Sequence, residues 1–321
     1  MNRRVLLAGM ATGLLSGVAR AQLASAPIRL VVPFAAGGSP DLIARYLASS
    51  LGDRLGGPVI VENRAGASGG VGTTHVVNAA PNGLTWLMAS TGPLTVNPAV
   101  QADIAYDPVA NLEPVILIGR SPLVLLVNND LPVRSLAELL ALAKREPGKL
   151  SYGSAGVGNL TNLVGEMLKM RAGIDLLHVP YQGTGALRPD LIAGRISMTF
   201  DTAPAALPVI RAGQARPIAV TTKTRAGILP ELPTISELGI DPDFDVSGWF
   251  ALLAPKGTPP ESIERMHAAV SAILKGPDAI KQFAQWGIDI DGGNPDRLRR
   301  LISDEIVRWK EVVRVAGIRT Q

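Results

Sequence analysis

Ile28-Arg-Leu-Val-Val-Pro-Phe-Ala-Ala-Gly-Gly-Ser-Pro-Asp41 carries a strand, a turn and a helix start in immediate succession. The apolar run 28–33 reads as a buried strand. Gly37 and Gly38 then let the backbone come close to whatever it meets, Ser39 suits a helix cap, and Pro40 suits the first helical position. Such a start leaves unpaired N–H groups at the positive end of a helix dipole, which favours an anion. A tight strand-to-helix turn with a good cap explains the same residues. Asp41 bears on the choice, because its own carboxylate could take the donors that an anion needs.

The same unit recurs outward from this stretch. Further strands are predicted over residues 59–61, 85–89, 115–118, 124–127, 150–152, 176–179, 196–200, 218–221 and 250–253. Helical periodicity lies between them, most clearly over 259–275, with Ile263, Met266, Val270, Ile273 and Leu274 on one face. Capping boxes are predicted at Thr258-Pro-Pro-Glu261, Ser135-Leu-Ala-Glu138 and Thr234-Ile-Ser-Glu237, and the last helix opens at Asn294-Pro295. Strands alternating with helices imply mostly parallel sheets flanked by helices. The runs 115–118 and 124–127, parted only by Gly119-Arg-Ser-Pro122, suit a chain leaving one sheet for another. We therefore expect a discontinuous first lobe, residues 22–121 and 223–321, and a second lobe, 122–222, with the ligand cleft between them.

In such sheets, ligands meet the loops at the carboxyl ends of strands. A second loop of this kind is Tyr152-Gly-Ser-Ala-Gly-Val-Gly-Asn-Leu-Thr161, before the helix carrying Leu163, Val164, Met167 and Leu168. It lacks the third glycine of a dinucleotide fingerprint, and no G-K-[ST] follows anywhere in the chain. Catalytic patterns are equally thin. Gly66-Ala-Ser-Gly-Gly70 is not a nucleophile elbow. A serine paired with His178 is conceivable, although a histidine ending an apolar strand reads first as structural. Asp201 ends another strand and could serve as a base, a ligand contact or a helix cap.

Composition narrows the function classes. The chain has 321 residues and no cysteine, which excludes disulfides, thiolate metal sites and a lipidated cysteine. Its three histidines, His75, His178 and His267, lie too far apart along the sequence for a helical zinc pair. Aromatics at 4% argue against a base-stacking surface for nucleic acid. The formal charge of +4 owes three positive charges to Arg3, Arg4 and Arg20, in a segment without acids. That segment has a basic start, an apolar run 5–18 and Ala19-Arg-Ala21, the pattern of a cleaved signal peptide over residues 1–21. The run falls short of the ~20 residues that span a bilayer. Arg3-Arg4 is compatible with twin-arginine as well as general export. What remains is nearly neutral and, at ~300 residues, large enough to divide into two cores.

Taken in order, residues 28–41, Val61-Glu-Asn-Arg-Ala-Gly66, Tyr152-Gly-Ser-Ala-Gly156, His178-Val-Pro-Tyr181, Thr199-Phe-Asp201 and Trp249-Phe-Ala-Leu-Leu-Ala-Pro255 resemble the Bug-type extracytoplasmic solute receptors of tripartite tricarboxylate transporters. The resemblance covers essentially the whole mature chain, the signal segment included. It implies a two-lobed periplasmic binding protein of the Venus-flytrap type, α/β in class, that binds an organic carboxylate and presents it to membrane transporter subunits. It implies no enzyme activity, no cofactor, no metal, no nucleic acid, no direct membrane insertion and a monomer. The positions it marks for the ligand are Phe34, Gly37, Gly38, Ser39, Ser90, Thr91, Ser154, Ala155, Gly156, Asn159, Thr161 and Asp201. Three places depart from the family pattern: Ser39-Pro40, Thr161-Asn162 and Gln182. Two other functions fit a secreted α/β chain: a ligand sensor docking on a membrane kinase, and a periplasmic hydrolase.

Overall fold

The computed structural model describes residues 26–101 and 103–316, so the predicted signal peptide lies outside the described residues. The strands are β1 (Ile28–Val32), β2 (Val59–Asn63), β3 (Thr85–Ser90), β4 (Leu112–Val127), β5 (Ser151–Ser154), β6 (Leu177–Pro180), β7 (Met198–Thr202), β8 (Arg216–Val220), β9 (Ser247–Pro255) and β10 (Asp289–Gly293). The helices of the first part are α1 (Ser39–Leu55), α2 (Gly70–Val77), α3 (Asn97–Val100) and α4 (Pro108–Asn111). There follow α5 (Leu136–Arg145), α6 (Leu160–Ala172), α7 (Thr184–Ile192) and α8 (Ala203–Arg211). The chain ends on α9 (Pro260–Leu274), α10 (Pro277–Trp286) and α11 (Pro295–Ala316). Among the described residues, no helix is long and apolar enough to cross a membrane.

The strands run in the order β2-β1-β3-β9-β4-β7-β5-β6, with β10 and β8 also paired to β4. The parallel pairing expected from alternating strands and helices holds in β2-β1-β3 and in β7-β5-β6. Antiparallel ladders join these trios through β9 and β4. The fold is thus α/β and two-lobed, built on two mixed sheets.

β4 corrects the sequence reading. Its two apolar runs form one strand of 16 residues, not two. Residues 112–122 pair with β9, and residues 123–127 pair with β7 and β8. Pro122 stands where the strand changes neighbours, a position at which a missing N–H costs least. Gly119 is required by β10, since a Cβ there would lie 2.6 Å from the Asp289 carbonyl oxygen. β10 itself went unpredicted, because Asp289-Ile-Asp-Gly-Gly293 is polar and short, and only its pairing with β4 makes it a strand.

Helices cover both faces of each sheet. Ile43, Leu47 and Leu51 of α1 join Met266 and Val270 of α9 on one face of the first sheet. Leu298 and Ile302 of α11 pack on its other face. Leu163 and Val164 of α6 pack on the second sheet, and there α11 contributes Trp309, so this last helix serves both cores. Ile235, Phe244 and Val246 also pack in the second core, although the expected boundary at 222 leaves them with the first lobe. They follow the second core because Val246 N–H bonds the Thr221 carbonyl and Ile235 N–H bonds that of Val220.

The caps divide. Ser135 Oγ accepts from Glu138 N at 3.2 Å, as the motif requires. Thr234 and Glu237 form a reciprocal box at 3.0 and 3.4 Å, but on a turn rather than a helix. The box at Thr258 is absent: its hydroxyl donates to the Pro255 carbonyl at 2.8 Å, and Pro259 holds the cap position. Ser39 is the first residue of α1 and not its cap, a place taken by Gly38 without a side-chain bond.

Candidate ligand-binding site

Four helices begin at one cavity, and their starts come from both sheets. α1 brings Gly38, Ser39 and Pro40; α6 brings its cap Asn159 with Leu160 and Thr161. α7 brings residues 183–185, and α8 begins after Asp201 and its cap Thr202. Ser90, Thr91 and Gly92, where β3 passes into a π-helical turn (Gly92–Val96), complete the polar part of the wall. Phe34, Leu123 and Phe250 supply the apolar part. The cavity measures about 60 Å³, a volume for a small ligand rather than a nucleotide. None of the described residues lining it is Lys, Arg or His. Each helix start presents amides without an intrahelical acceptor and roughly half a positive charge.

Nine of the positions expected from sequence line this cavity: Phe34, Gly38, Ser39, Ser90, Thr91, Ala155, Asn159, Thr161 and Asp201. Gly37, Ser154 and Gly156 are not in its wall. Gly37, in left-handed conformation at φ 85°, donates its N–H to Asp41 Oδ2 at 3.0 Å. Asp41 therefore does take one of the loop's donors. Burial works against its carboxylate, but bonds from Arg45 at 2.9 Å, from Gly37 and from Asn63 at 2.9 Å outweigh that cost and hold its pKa below the ordinary value.

Ser154 has no solvent exposure, and its Oγ lies 2.7 Å from His178 Nε2 while accepting from Gly156 N at 3.1 Å. His178 stacks on Tyr152 at 4.8 Å, and burial lowers its pKa. The pair thus braces the second loop from beneath. Gly156 lies where the two halves touch: a Cβ there would come within 2.6 Å of Ser68 Oγ.

The wall residues hold one another in place. Thr161 Oγ1 accepts from Ala155 N at 2.8 Å, and Asn159 Oδ1 accepts from Thr161 N at 3.1 Å, capping α6. Thr91 Oγ1 accepts from Trp249 N at 3.0 Å, tying the end of β3 to β9. Ser39 Oγ and Thr202 Oγ1 meet at 2.5 Å, joining α1 of the first sheet to the end of β7 in the second. Asp201 accepts from its neighbour Thr202 N at 2.9 Å. Burial raises its pKa to about 7, against the influence of Arg188, the Thr184 hydroxyl and the Thr202 amide.

Sequence reasoning missed the start of α7 at residues 183–185, and also Gly92 and Thr202. The signal for the first was present. Tyr181-Gln-Gly-Thr-Gly185 follows a strand and carries two glycines, as the other two loops do.

A two-lobed α/β fold with helix starts from both sheets around one small cavity defines a solute-binding protein. Residues 43–318 match the tripartite tricarboxylate transporter family receptor, TctC, and the chain belongs to that family. Protein BugT of Bordetella pertussis is 38% identical over 292 residues, covering 91% of this chain and 89% of its own. Among solved structures, Rpa4515 of R. palustris with adipate superimposes with a TM-score of 0.88 at 36% identity, over 91% of this chain and 97% of that one. MatC (Rpa3494) of Rhodopseudomonas palustris with bound malate gives a TM-score of 0.85 at 31% identity, over 89% and 98%. The family is one of transporter receptors and not of enzymes, and this chain, as a member, is a receptor and not an enzyme. The serine–histidine contact that left a hydrolase open is accordingly a structural one, made by a serine outside the cavity wall.

Proposed function

We propose that the protein is exported to the periplasm with cleavage after Ala21, captures a small organic carboxylate in this cavity, and delivers it to a tripartite tricarboxylate-type membrane transporter. The observation that carries the reading is the convergence of four helix starts on a cavity wall without a basic side chain. Backbone amides and hydroxyls then supply the positive pole for a carboxylate, without the entropy of a flexible side chain. The adipate and malate held by two relatives support the ligand class. The contacting positions are the nine expected residues that line the cavity, joined by residues 183–185, Gly92 and Thr202. The lobes move as units, divided at Pro122, where β4 leaves β9 for β7 and β8, and near Ser247, where β9 begins.

A thermal-shift screen of dicarboxylates, tricarboxylates, amino acids and aromatic acids tests the ligand class. A true ligand at a hundred times its dissociation constant adds about 2.7 kcal/mol of stability. A screen in which only neutral sugars or cations stabilise the protein overturns the reading. Mass spectrometry of periplasmic extract should find an N-terminus at Gln22; finding only the full-length chain overturns the export step.

A further inference from the structure

Behind the cavity wall, four residues from three parts of the first lobe close a ring of hydrogen bonds. Thr91 lines the cavity just after β3, and its Oγ1 accepts from Trp249 N of β9 at 3.0 Å. The Trp249 indole Nε1 donates to Glu305 Oε2 of α11 at 2.9 Å. The same carboxylate oxygen lies 3.1 Å from the Thr95 hydroxyl, which also reaches the Thr91 carbonyl at 2.9 Å. Thr91, Thr95 and Trp249 are at most 1% exposed. Glu305, Thr95 and Trp249 all stand outside the cavity wall. Burial raises the Glu305 pKa above its ordinary value, against the bonds from Trp249 and Thr95. Burying a carboxylate is a poor way to gain stability, because desolvation offsets much of what its bonds return. This one holds a turn. Residues Gly92–Val96 are π-helical, a rare form that occurs mostly as single turns and frequently at functional sites. The turn has no slack toward α6, since a Cβ at Gly92 would lie 2.7 Å from Asn159 Nδ2. A shift of the turn therefore displaces Thr91 and Gly92 and disturbs Asn159, all three in the cavity wall.

Resting on the carboxylate-binding reading above, we propose that Glu305 is a positioning residue for the ligand. Through Thr95 and Trp249 it fixes the π-helical turn, so that Thr91 and Gly92 meet the ligand in one geometry. The ligand itself never touches Glu305. α11 presents the carboxylate between Leu298 and Ile302, which pack in one core, and Trp309, which packs in the other.

Titration calorimetry of the wild type with malate, adipate, citrate, glutamate and benzoate selects the tightest probe. Glu305→Ala and Thr95→Val should each weaken that probe at least about tenfold, a difference of about 1.4 kcal/mol. The double variant should bind no more weakly than the worse single one, because both changes open the same ring. Glu305→Gln, which keeps an acceptor toward Trp249 and Thr95, should bind more tightly than Glu305→Ala. Ile302→Val, one turn earlier on α11 but outside the ring, should lower the melting temperature and leave the affinity unchanged. Thr95→Val removes only the hydroxyl, and it carries the test by itself where Glu305→Ala does not fold. Wild-type affinity in Thr95→Val, additive losses in the double variant, or an equal loss in Ile302→Val would show a carboxylate that serves the packing of α11 alone. Each of these overturns the role of Glu305 and leaves carboxylate binding standing. Failure of the wild type to bind any of these probes overturns both.

Discussion

Thr91 and Arg45 show how a side chain's place in the hydrogen-bond network sets its effect. Thr91 lines the cavity, and its hydroxyl accepts the Trp249 amide at 3.0 Å. Thr91→Ala should cost about 1–3 kcal/mol of stability through the stranded buried amide, and weaken ligand binding as well. Arg45 spends its guanidinium on Asp41 at 2.9 Å and Asn63 at 3.2 Å, outside the cavity wall. Arg45→Ala should cost about 1 kcal/mol or less of stability and leave affinity unchanged, because the pair is half open to water. Calorimetry and thermal denaturation on both variants check the contrast. Asp201 carries a pH signature of its own. Its folded pKa, near 7, stands above the ordinary 3.8, so the folded state holds the extra proton between these values. Stability from this group is complete below the ordinary value and declines as pH rises toward 7. Asp201→Asn should therefore gain on the wild type in thermal denaturation as pH is raised from 4 to 8. A constant difference across that range would contradict it.

At the scale of elements, the contact between the π-helical turn at Gly92 and the start of α6 is a tight constraint on the site. A Cβ at Gly92 would lie 2.7 Å from Asn159 Nδ2, and Asn159 cannot retreat without giving up its cap on α6. Gly92→Ala should hold the two walls apart and weaken ligand binding at least about tenfold, with a smaller effect on melting than on affinity. α11 poses the opposite case, since it binds the two halves together. It places Leu298 and Ile302 in one core and Trp309 in another, and Glu305 between them accepts from Trp249 Nε1 at 2.9 Å and Thr95 at 3.1 Å. Its start at Asn294-Pro295 was legible from the sequence; that it serves two cores was not.

For the whole molecule, hydrogen bonds around the cavity add to the packing of α11 in tying the halves together. Ser39 meets Thr202 across the cavity, and Ser68, outside the cavity wall, donates to the Val157 carbonyl. Ala67 and Ser68 both sit at positive φ, 47° and 53°, a conformation uncommon for residues other than glycine. Such lobes should hinge where β4 leaves β9 for β7 and β8. Small-angle scattering should show a larger radius of gyration for the Ser39→Ala, Ser68→Ala double variant than for the wild type without ligand, and equal radii at saturating ligand. Identical radii without ligand would show that other contacts set the closed form.

What the sequence determined by itself is what depends on near neighbours. The strand, glycine turn and helix start of residues 28–41 were readable because each signal acts within four residues or fewer. The same holds for the cap of α5, the periodic face of α9 and the second glycine loop. The family was readable from the order of such segments. Tertiary structure decided whatever joins distant parts of the chain. Ser39, a plausible cap by sequence, bonds a hydroxyl 163 residues away. Ser154, a plausible ligand contact, braces a loop through His178. The polar stretch 289–293 became β10 only because β4 offered an edge beside Gly119. Hydroxyls and short polar segments have several near-equal local partners, so long-range packing chooses among them, whereas apolar period and backbone conformation are paid for locally.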